Sequence, residues 1–266
     1  MKPKTVRALD RGLAILRCLQ SDGSGSLHDL HRRLELPKPT LLRLLATLED
    51  AGFVWQGLED GRYHPSQAHD LRERRHRSDQ LAEVAGPVLD WLVNKIQWPS
   101  DLSVRQGMHM QLRESSRLRS YFSLHRLSIG FRINMALSAP GRAYLAFCPE
   151  RERRAIINQL RIAKDPGLRE VGGEEALQRI VSETRARGFG TRDPRWGGHV
   201  SQPKSEYDDG LMAIAVPIIV RSRAIGCINL VWIARLFKPG QIVREHLADL
   251  QEASLLISTR YMAAAG

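Results

Sequence analysis

Between residues 6 and 19 the apolar side chains Leu9, Leu13, Leu16, Cys18 and Leu19 recur at three- and four-residue steps, the spacing of one helical face. The run Ser21-Asp22-Gly23-Ser24-Gly25 ends that helix. Ser26 with Asp29 three residues later has the form of a capping box and opens a short helix over 27–34. Glu35-Leu36-Pro37 breaks it. A third helix starts near Pro39, a residue the first helical turn tolerates, and runs to Ala51, with Gly52 as its stop. Leu41, Leu44, Leu45 and Leu48 follow i, i+3, i+4, i+7 and define its buried stripe. Two β-prone runs, 53–56 and 62–64, flank a turn ending in Asp60-Gly61 and predict a hairpin. Helix, short helix, tight turn, helix and hairpin are the element order of a winged helix-turn-helix.

Residues 66–80 carry Arg72, Glu73, Arg74, Arg75, His76, Arg77 and Asp79, with Leu71 as the one large apolar residue. No core helix has that pattern, so the segment reads as an exposed helical linker. The apolar period returns at Leu81, Val84, Val88, Leu89, Leu92, Val93 and Ile96 and opens a second domain. Strands are predicted at 101–105 and 108–113 about a turn at Gly107, and further strand candidates lie at 120–124 and 131–135. Helices are predicted at 139–147, 150–160 and 174–187. Two long strands, 212–220 and 224–233, flank the basic turn Arg221-Ser222-Arg223, and a final helix spans 239–262. Strands and helices without a strict βαβ rhythm indicate an α+β chain. The predicted organisation is a DNA-binding domain at 1–65, a linker helix at 66–80 and a sensor-type domain at 81–266.

The net charge of +11 favours polyanionic partners, but its distribution tempers that reading. Residues 1–80 carry 14 basic and 11 acidic side chains, whereas 81–266 carry 26 and 18. Within residues 1–45 the basic excess is sharper, nine against four. The three cysteines, Cys18, Cys148 and Cys227, lie in apolar stretches with no metal-ligand spacing and read as small buried hydrophobes of a reducing compartment. No signal-type run follows Met1, and no apolar stretch reaches the roughly 18 residues of a membrane span. A cytoplasmic protein with no membrane partner is the expectation. The chain has no nucleophile elbow, P-loop, HExxH or dinucleotide fingerprint. It is therefore read as a non-enzyme without cofactor or metal.

On the third helix the face opposite the leucine stripe offers Pro39, Arg43, Ala46 and Asp50, flanked by Thr40, Leu42 and Thr47. A recognition helix presents its N-terminal residues to base edges. Arg43 has the bidentate reach for guanine, Thr40 can bond a base or phosphate, and Leu42 can pack on a thymine methyl. Arg32, Arg33 and Lys38 are candidate phosphate contacts, and Arg62 on the wing is a candidate for the adjacent minor groove. Each residue alone is equally a solvated surface group. The combined pattern points to a double-stranded DNA operator.

The segment LPKPTLLRLLATLEDAGFV at 36–54, SAPGRAYLA at 138–146 and AIAVP at 213–217 resemble the IclR (isocitrate lyase regulator) type of transcription factor over nearly the whole chain. Within that family WPSD at 98–101, LHR at 124–126, LAFCPE at 145–150 and IGCINLV at 225–231 are similar to the MhpR-like regulators of hydroxyphenylpropionate catabolism. The resemblance implies a GAF-like effector-binding domain, self-association as a dimer or tetramer, RNA polymerase as a candidate further partner, and an effector that is a small aromatic acid. Pro39 stands where the family usually has serine and Leu42 where a polar residue is common, departures that bear on the operator sequence. Carried over by position, the pocket is lined by Ser138, Ala139 and Pro140 and by Glu206, Val216, Asn229 and Val231. His125, Arg126 and Arg132, within a stretch of five arginines and one glutamate at 113–132, are the candidate partners of an effector carboxylate. Those arginines are equally surface or subunit contacts, and Asn229 is equally a structural asparagine. A ligand-independent DNA-binding protein and a regulator responding to a non-aromatic keto acid are the alternatives.

Overall fold

The computed structural model describes residues 6–66, 77–120, 122, 127–199 and 204–265, and its contacts divide the chain into two compact units, 1–83 and 84–266. The first unit contains α1 (Arg7–Asp22), α2 (Leu27–Leu34), α3 (Lys38–Asp50) and the hairpin β1 (Val54–Gln56) and β2 (Tyr63–Pro65). The Ser26 hydroxyl accepts from the Asp29 amide and the Asp29 carboxylate accepts from the Ser26 amide, so the capping box starts α2 as its sequence requires. Gly25 bridges to Tyr63 by two backbone hydrogen bonds and ties the turn between α1 and α2 to the hairpin. The core is Ile15, Leu19, Leu30, Leu41, Leu45, Val54 and Tyr63. Leu44 and Leu48 pack at its edge. On α1 the periodic residues separate. Leu19 is buried, but Leu9 and Leu13 are exposed beside Val6, forming a second apolar stripe that this unit leaves uncovered.

The second unit is built on a six-stranded antiparallel sheet in the order β5-β4-β3-β8-β7-β6. Its strands are β3 (Ser100–Gln106), β4 (His109–Ser115), β5 (Arg132–Asn134), β6 (Gly190–Thr191), β7 (Leu211–Val220) and β8 (Arg223–Ile233). Opposed residues of antiparallel strands share a face. The register therefore puts Ser103, Leu112, Cys227 and Ala215 on one face, together with Asp101 and Asn229. Helix α5 (Ala139–Phe147) lies on this face, where it packs with α8 (Glu174–Arg187), and α6 (Glu150–Ile162) and α7 (Pro166–Glu170) contribute Ile156, Ile157, Leu160 and Leu168 to the same core. The other face carries Ile214, Val216, Ile218, Ile228 and Leu230, all buried. Helix α9 (Pro239–Ala265) packs against β7 and β8, and Lys95 of α4 (Arg77–Ile96) pairs with Asp249 and Glu252 of α9.

Close backbone approach fixes α5. A Cβ on Gly141 would lie 2.2 Å from the Met135 carbonyl oxygen, and one on Gly190 would lie 2.2 Å from that of Ala139. Arg142, buried on α5, donates to the Ala136 carbonyl at 2.8 Å and to Asp193 at 2.6 Å. The strand candidate at 120–124 is not met at the residues described. Arg117–Arg119 form a 3-10 turn, and Ser120 and Phe122 belong to no strand.

Candidate DNA interface and effector pocket

Helix α3 buries Leu41 and Leu45 and leaves Pro39, Leu42, Arg43 and Ala46 exposed at i, i+3, i+4 and i+7, a single outward face. Leu42 is 47% exposed, a large apolar side chain on this outward face. Arg43 makes no side-chain hydrogen bond or ion pair among the described residues, so its guanidinium is available. Thr40 is half-buried at the first turn. The Thr47 hydroxyl donates back to the Arg43 carbonyl at 2.9 Å. Lys38 and Arg32 are exposed and flank the helix start.

Two of the predicted DNA contacts have other occupations. Arg33 pairs with Asp22 and donates to the Ser21 hydroxyl, so it ties α2 to the end of α1. Arg62 donates to the Ser24 hydroxyl at 3.0 Å and the Ser24 carbonyl at 3.2 Å, and it pairs with Asp29 at 3.2 Å. Its side chain is a strut between hairpin and helix-turn-helix instead of a free wing residue. These three charge-assisted contacts hold the guanidinium against the turn between α1 and α2 and the start of α2.

On the α5 face of the sheet, Asp101 and Arg117 form a buried bidentate ion pair, with Nε to Oδ1 at 3.0 Å and Nη2 to Oδ2 at 2.8 Å. The Ser115 hydroxyl donates to Asp101 at 2.7 Å. Asn229 is part of the same cluster: its Oδ1 accepts from the Asp101 amide at 2.7 Å and its Nδ2 donates to the Asp101 carboxylate at 3.3 Å. Burial would raise the Asp101 pKa, but the Arg117 charge and the hydrogen bonds from Arg117, Ser115 and Asn229 hold it below the ordinary carboxylate range. Beside this cluster the Ser103 hydroxyl is buried and has no hydrogen-bond partner among the described residues. Towards the edge of the same face, Phe131 and Trp196 pack on the core. The His199 ring lies 6.5 Å from Phe131 and 5.9 Å from Tyr207.

The predicted effector residues divide accordingly. Ala139, Val231 and Asn229 lie on the α5 face or on α5 itself. Ser138 caps α5 by accepting from the Gly141 amide at 3.0 Å, so its hydroxyl is committed to the helix, and Pro140 is buried in the first turn. Val216 belongs to the opposite face because strand parity pairs it with Ile228. Glu206 is exposed in a turn, and Arg132 is exposed on β5. His125 and Arg126 lie outside the described residues. Asp101, Ser103, Ser115 and Arg117 were not among the predicted site residues. Their signal was the polar alternation Asp101, Ser103, Arg105 along a strand, a pattern that ordinarily marks the solvent side.

A crevice of about 260 Å³ lies elsewhere, between α6 and α8, lined by Glu150, Arg153, Arg154 and Arg185. Glu150 pairs with Arg153 and Arg154, and Arg185 donates to the Ala146 carbonyl at the end of α5, so these arginines serve helix ends.

Residues 8–57 match the IclR helix-turn-helix domain, and residues 75–259 match the C-terminal domain of bacterial transcriptional regulators of IclR type. The chain belongs to the IclR family. It is a DNA-binding transcriptional regulator of that family. It is 27% identical to the transcriptional repressor AllR of Klebsiella pneumoniae over 94% of this chain and 90% of that protein. A regulator named SauR from Cupriavidus necator is 28% identical over 82% of this chain and 81% of its own length. Among solved structures, an IclR homolog from Microbacterium hydrocarbonoxydans, crystallised with 4-hydroxybenzoate, shares the fold with a TM-score of 0.51 at 19% identity, covering 96% of this chain and 99% of that one. The narrower resemblance to MhpR-like regulators finds no support in these relatives, which carry other names. Among the described residues no helix is long and apolar enough to cross a membrane.

Proposed function

We propose that this regulator controls an operon for aromatic-acid catabolism and that a small aromatic carboxylate held on the α5 face of its sheet sets operator occupancy. The observation that carries the reading is the composition of that face. That face holds a buried polar cluster of Asp101, Arg117, Asn229 and Ser103, and Phe131 and Trp196 pack on its apolar core with His199 and Tyr207 in ring contact beyond them, the mixture of few polar groups and many apolar ones that suits a small aromatic ligand. The 4-hydroxybenzoate bound to the Microbacterium homolog, which has the same fold, points the same way. Arg132, the cation expected for the carboxylate, pairs with Gln111 and therefore lies on the opposite face of the sheet from Met110, Leu112 and Ser103, which does not favour it as the carboxylate's partner. Residues 1–65 read the operator through the exposed face of α3, a linker spans 66–80, and 81–266 form the GAF-like sensor, acting in the cytoplasm where the DNA lies.

The apolar stripe Val6, Leu9 and Leu13 on α1 supports self-association. A second copy of this chain would cover it, and a dimer would set two recognition helices on half-sites about one helical turn apart. The test is a thermal-shift and gel-shift series on the purified chain with 4-hydroxybenzoate, hydroxyphenylpropionate, protocatechuate, glyoxylate and pyruvate. An aromatic acid that raises the melting temperature and changes operator occupancy supports the reading. A response to the keto acids alone replaces the aromatic effector with a non-aromatic one. Sequence-blind, strongly salt-dependent binding that no acid alters would leave a ligand-independent DNA-binding protein.

A further inference from the structure

We propose that Ser103 is an effector-contacting residue that reads an uncharged hydroxyl on the effector, the end opposite its carboxylate; the inference rests on the effector reading above. Ser103 is 2% exposed and its hydroxyl has no hydrogen-bond partner among the described residues. A hydroxyl in that state carries its desolvation cost without compensation, and an unsatisfied buried group in a folded protein marks a place where a further partner belongs. The register puts it opposite Cys227 on β8 and Leu112 on β4, on the face that carries α5.

The charge state of the buried cluster selects the chemistry. Two residues along the same strand, Asp101 already holds Arg117 through two hydrogen bonds, and Asn229 bonds Asp101 with both ends of its amide. The cluster beside Ser103 is therefore a closed, neutral pair with no cation to spare. A carboxylate pushed against Ser103 would be buried without a counter-charge, which is strongly unfavourable. A phenolic hydroxyl is neutral and can both donate to and accept from serine, so it fits that depth. The carboxylate then points away from the buried cluster. The effector class this selects is a hydroxylated aromatic acid, distinguished from its unhydroxylated analogue by one buried hydrogen bond.

The test compares 4-hydroxybenzoate with benzoate by titration calorimetry on the full chain, in wild type, Ser103→Ala and Ser100→Ala. Ser100 is the control, because it is also buried with an unpartnered hydroxyl but lies on the opposite face, paired with Leu230. Wild type and Ser100→Ala are expected to prefer 4-hydroxybenzoate by about tenfold or more. Ser103→Ala is expected to lose most of that preference while binding benzoate as wild type does. Its ligand-free melting temperature should hold or rise, since no hydrogen bond is removed. A lowered ligand-free melting temperature would show a structural partner for the hydroxyl and overturn the proposal. An unchanged preference in Ser103→Ala, with binding intact, would overturn the Ser103 assignment and leave the effector reading standing. If wild type binds neither acid, the aromatic reading and the proposal fall together.

Discussion

Replacing Arg117 by methionine should be among the most damaging single changes in the second unit, and its damage should depend on pH in an unusual direction. The Arg117 and Asp101 side chains are 5% and 2% exposed, and methionine keeps the apolar stem while removing the charge. The carboxylate would then be stranded among Ser115, Asn229 and apolar neighbours. Removing one partner of a buried pair costs about 3–5 kcal/mol, because the remaining charge stays desolvated. In wild type the Asp101 pKa lies below its unfolded value of about 3.9. The contribution of the pair is therefore complete above that value and is lost only as pH falls through the lower folded pKa. In Arg117→Met the cause that remains largest is burial, which raises the folded pKa above the unfolded one. The sign reverses: the mutant gains stability as pH falls from neutral, because the folded carboxyl takes up a proton first. The gap between the two proteins should narrow on acidification by up to about 1.4 kcal/mol per pH unit. Urea unfolding followed by tryptophan fluorescence at pH 7.5, 6.5 and 5.5 measures this. Trp91, Trp98, Trp196 and Trp232 all lie in the second unit and dominate the signal. Adding Asp101→Asn to Arg117→Met should restore more than half of the loss at neutral pH. A loss under about 1 kcal/mol, a gap that ignores pH, or no rescue by the double change would each refute the stranded-charge account.

Other outcomes can be stated more briefly. Arg43→Ala should leave the melting curve of the protein unchanged and weaken specific operator binding by about 1–3 kcal/mol, whereas Leu41→Ala should cost about 2–5 kcal/mol of stability in the first unit; gel shifts and denaturation separate the two. Arg62→Ala should reduce the stability of the first unit instead of only the salt dependence of DNA binding, since its contacts are internal; equal stability would return Arg62 to the list of DNA contacts. Gly190→Ala should destabilise the second unit by about 1–3 kcal/mol, because the new Cβ meets the Ala139 and Ala143 backbone, and a thermal melt reads it. Burial pushes the Cys148 thiol up to about 11 and Cys227 well above the ordinary value, so a thiol reagent at pH 8 should label both far more slowly in the native protein than after unfolding.

Local chemistry made much of the fold legible. Helix α2 and helix α8 occupy the residues their patterns define, because a capping box, glycine stops and unbroken periodicity are all short-range signals. The two long strands β7 and β8 were legible for the same reason, their apolar runs meeting at Arg221 and Ser222, which take positive φ in the turn. What escaped depends on tertiary contact. Strand β6 is two residues long and exists through its pairing with Ile214 and Ala215, and α7 is a five-residue turn capped by Asp165. Periodicity also cannot choose between adjoining stripes of one helix. It grouped Leu9 and Leu13 with Leu19, whereas the first unit covers only the stripe that meets α2 and α3.

The buried polar cluster on the α5 face was hidden for a different reason. Asp101 and Asn229 are separated by 128 positions and meet only through the register of β3 against β8. Read along the strand, alternating Asp101 and Ser103 suggest a solvent face, yet both are buried. The inversion has a cause. A sheet covered by helices on both faces has no solvent side, so any polar residue on it must find a partner inside. Arg117 supplies one for Asp101 because the chain turns sharply after β4, and Asn229 supplies another across the sheet. Ser103 receives none from the described residues. Positions carried over by family likeness include Asn229 and Val231, which lie on the α5 face, but likeness could not reveal that both ends of the Asn229 amide bond Asp101. Which side chains of this cluster hold one another is decided by hydrogen-bond partners, and those are fixed by register.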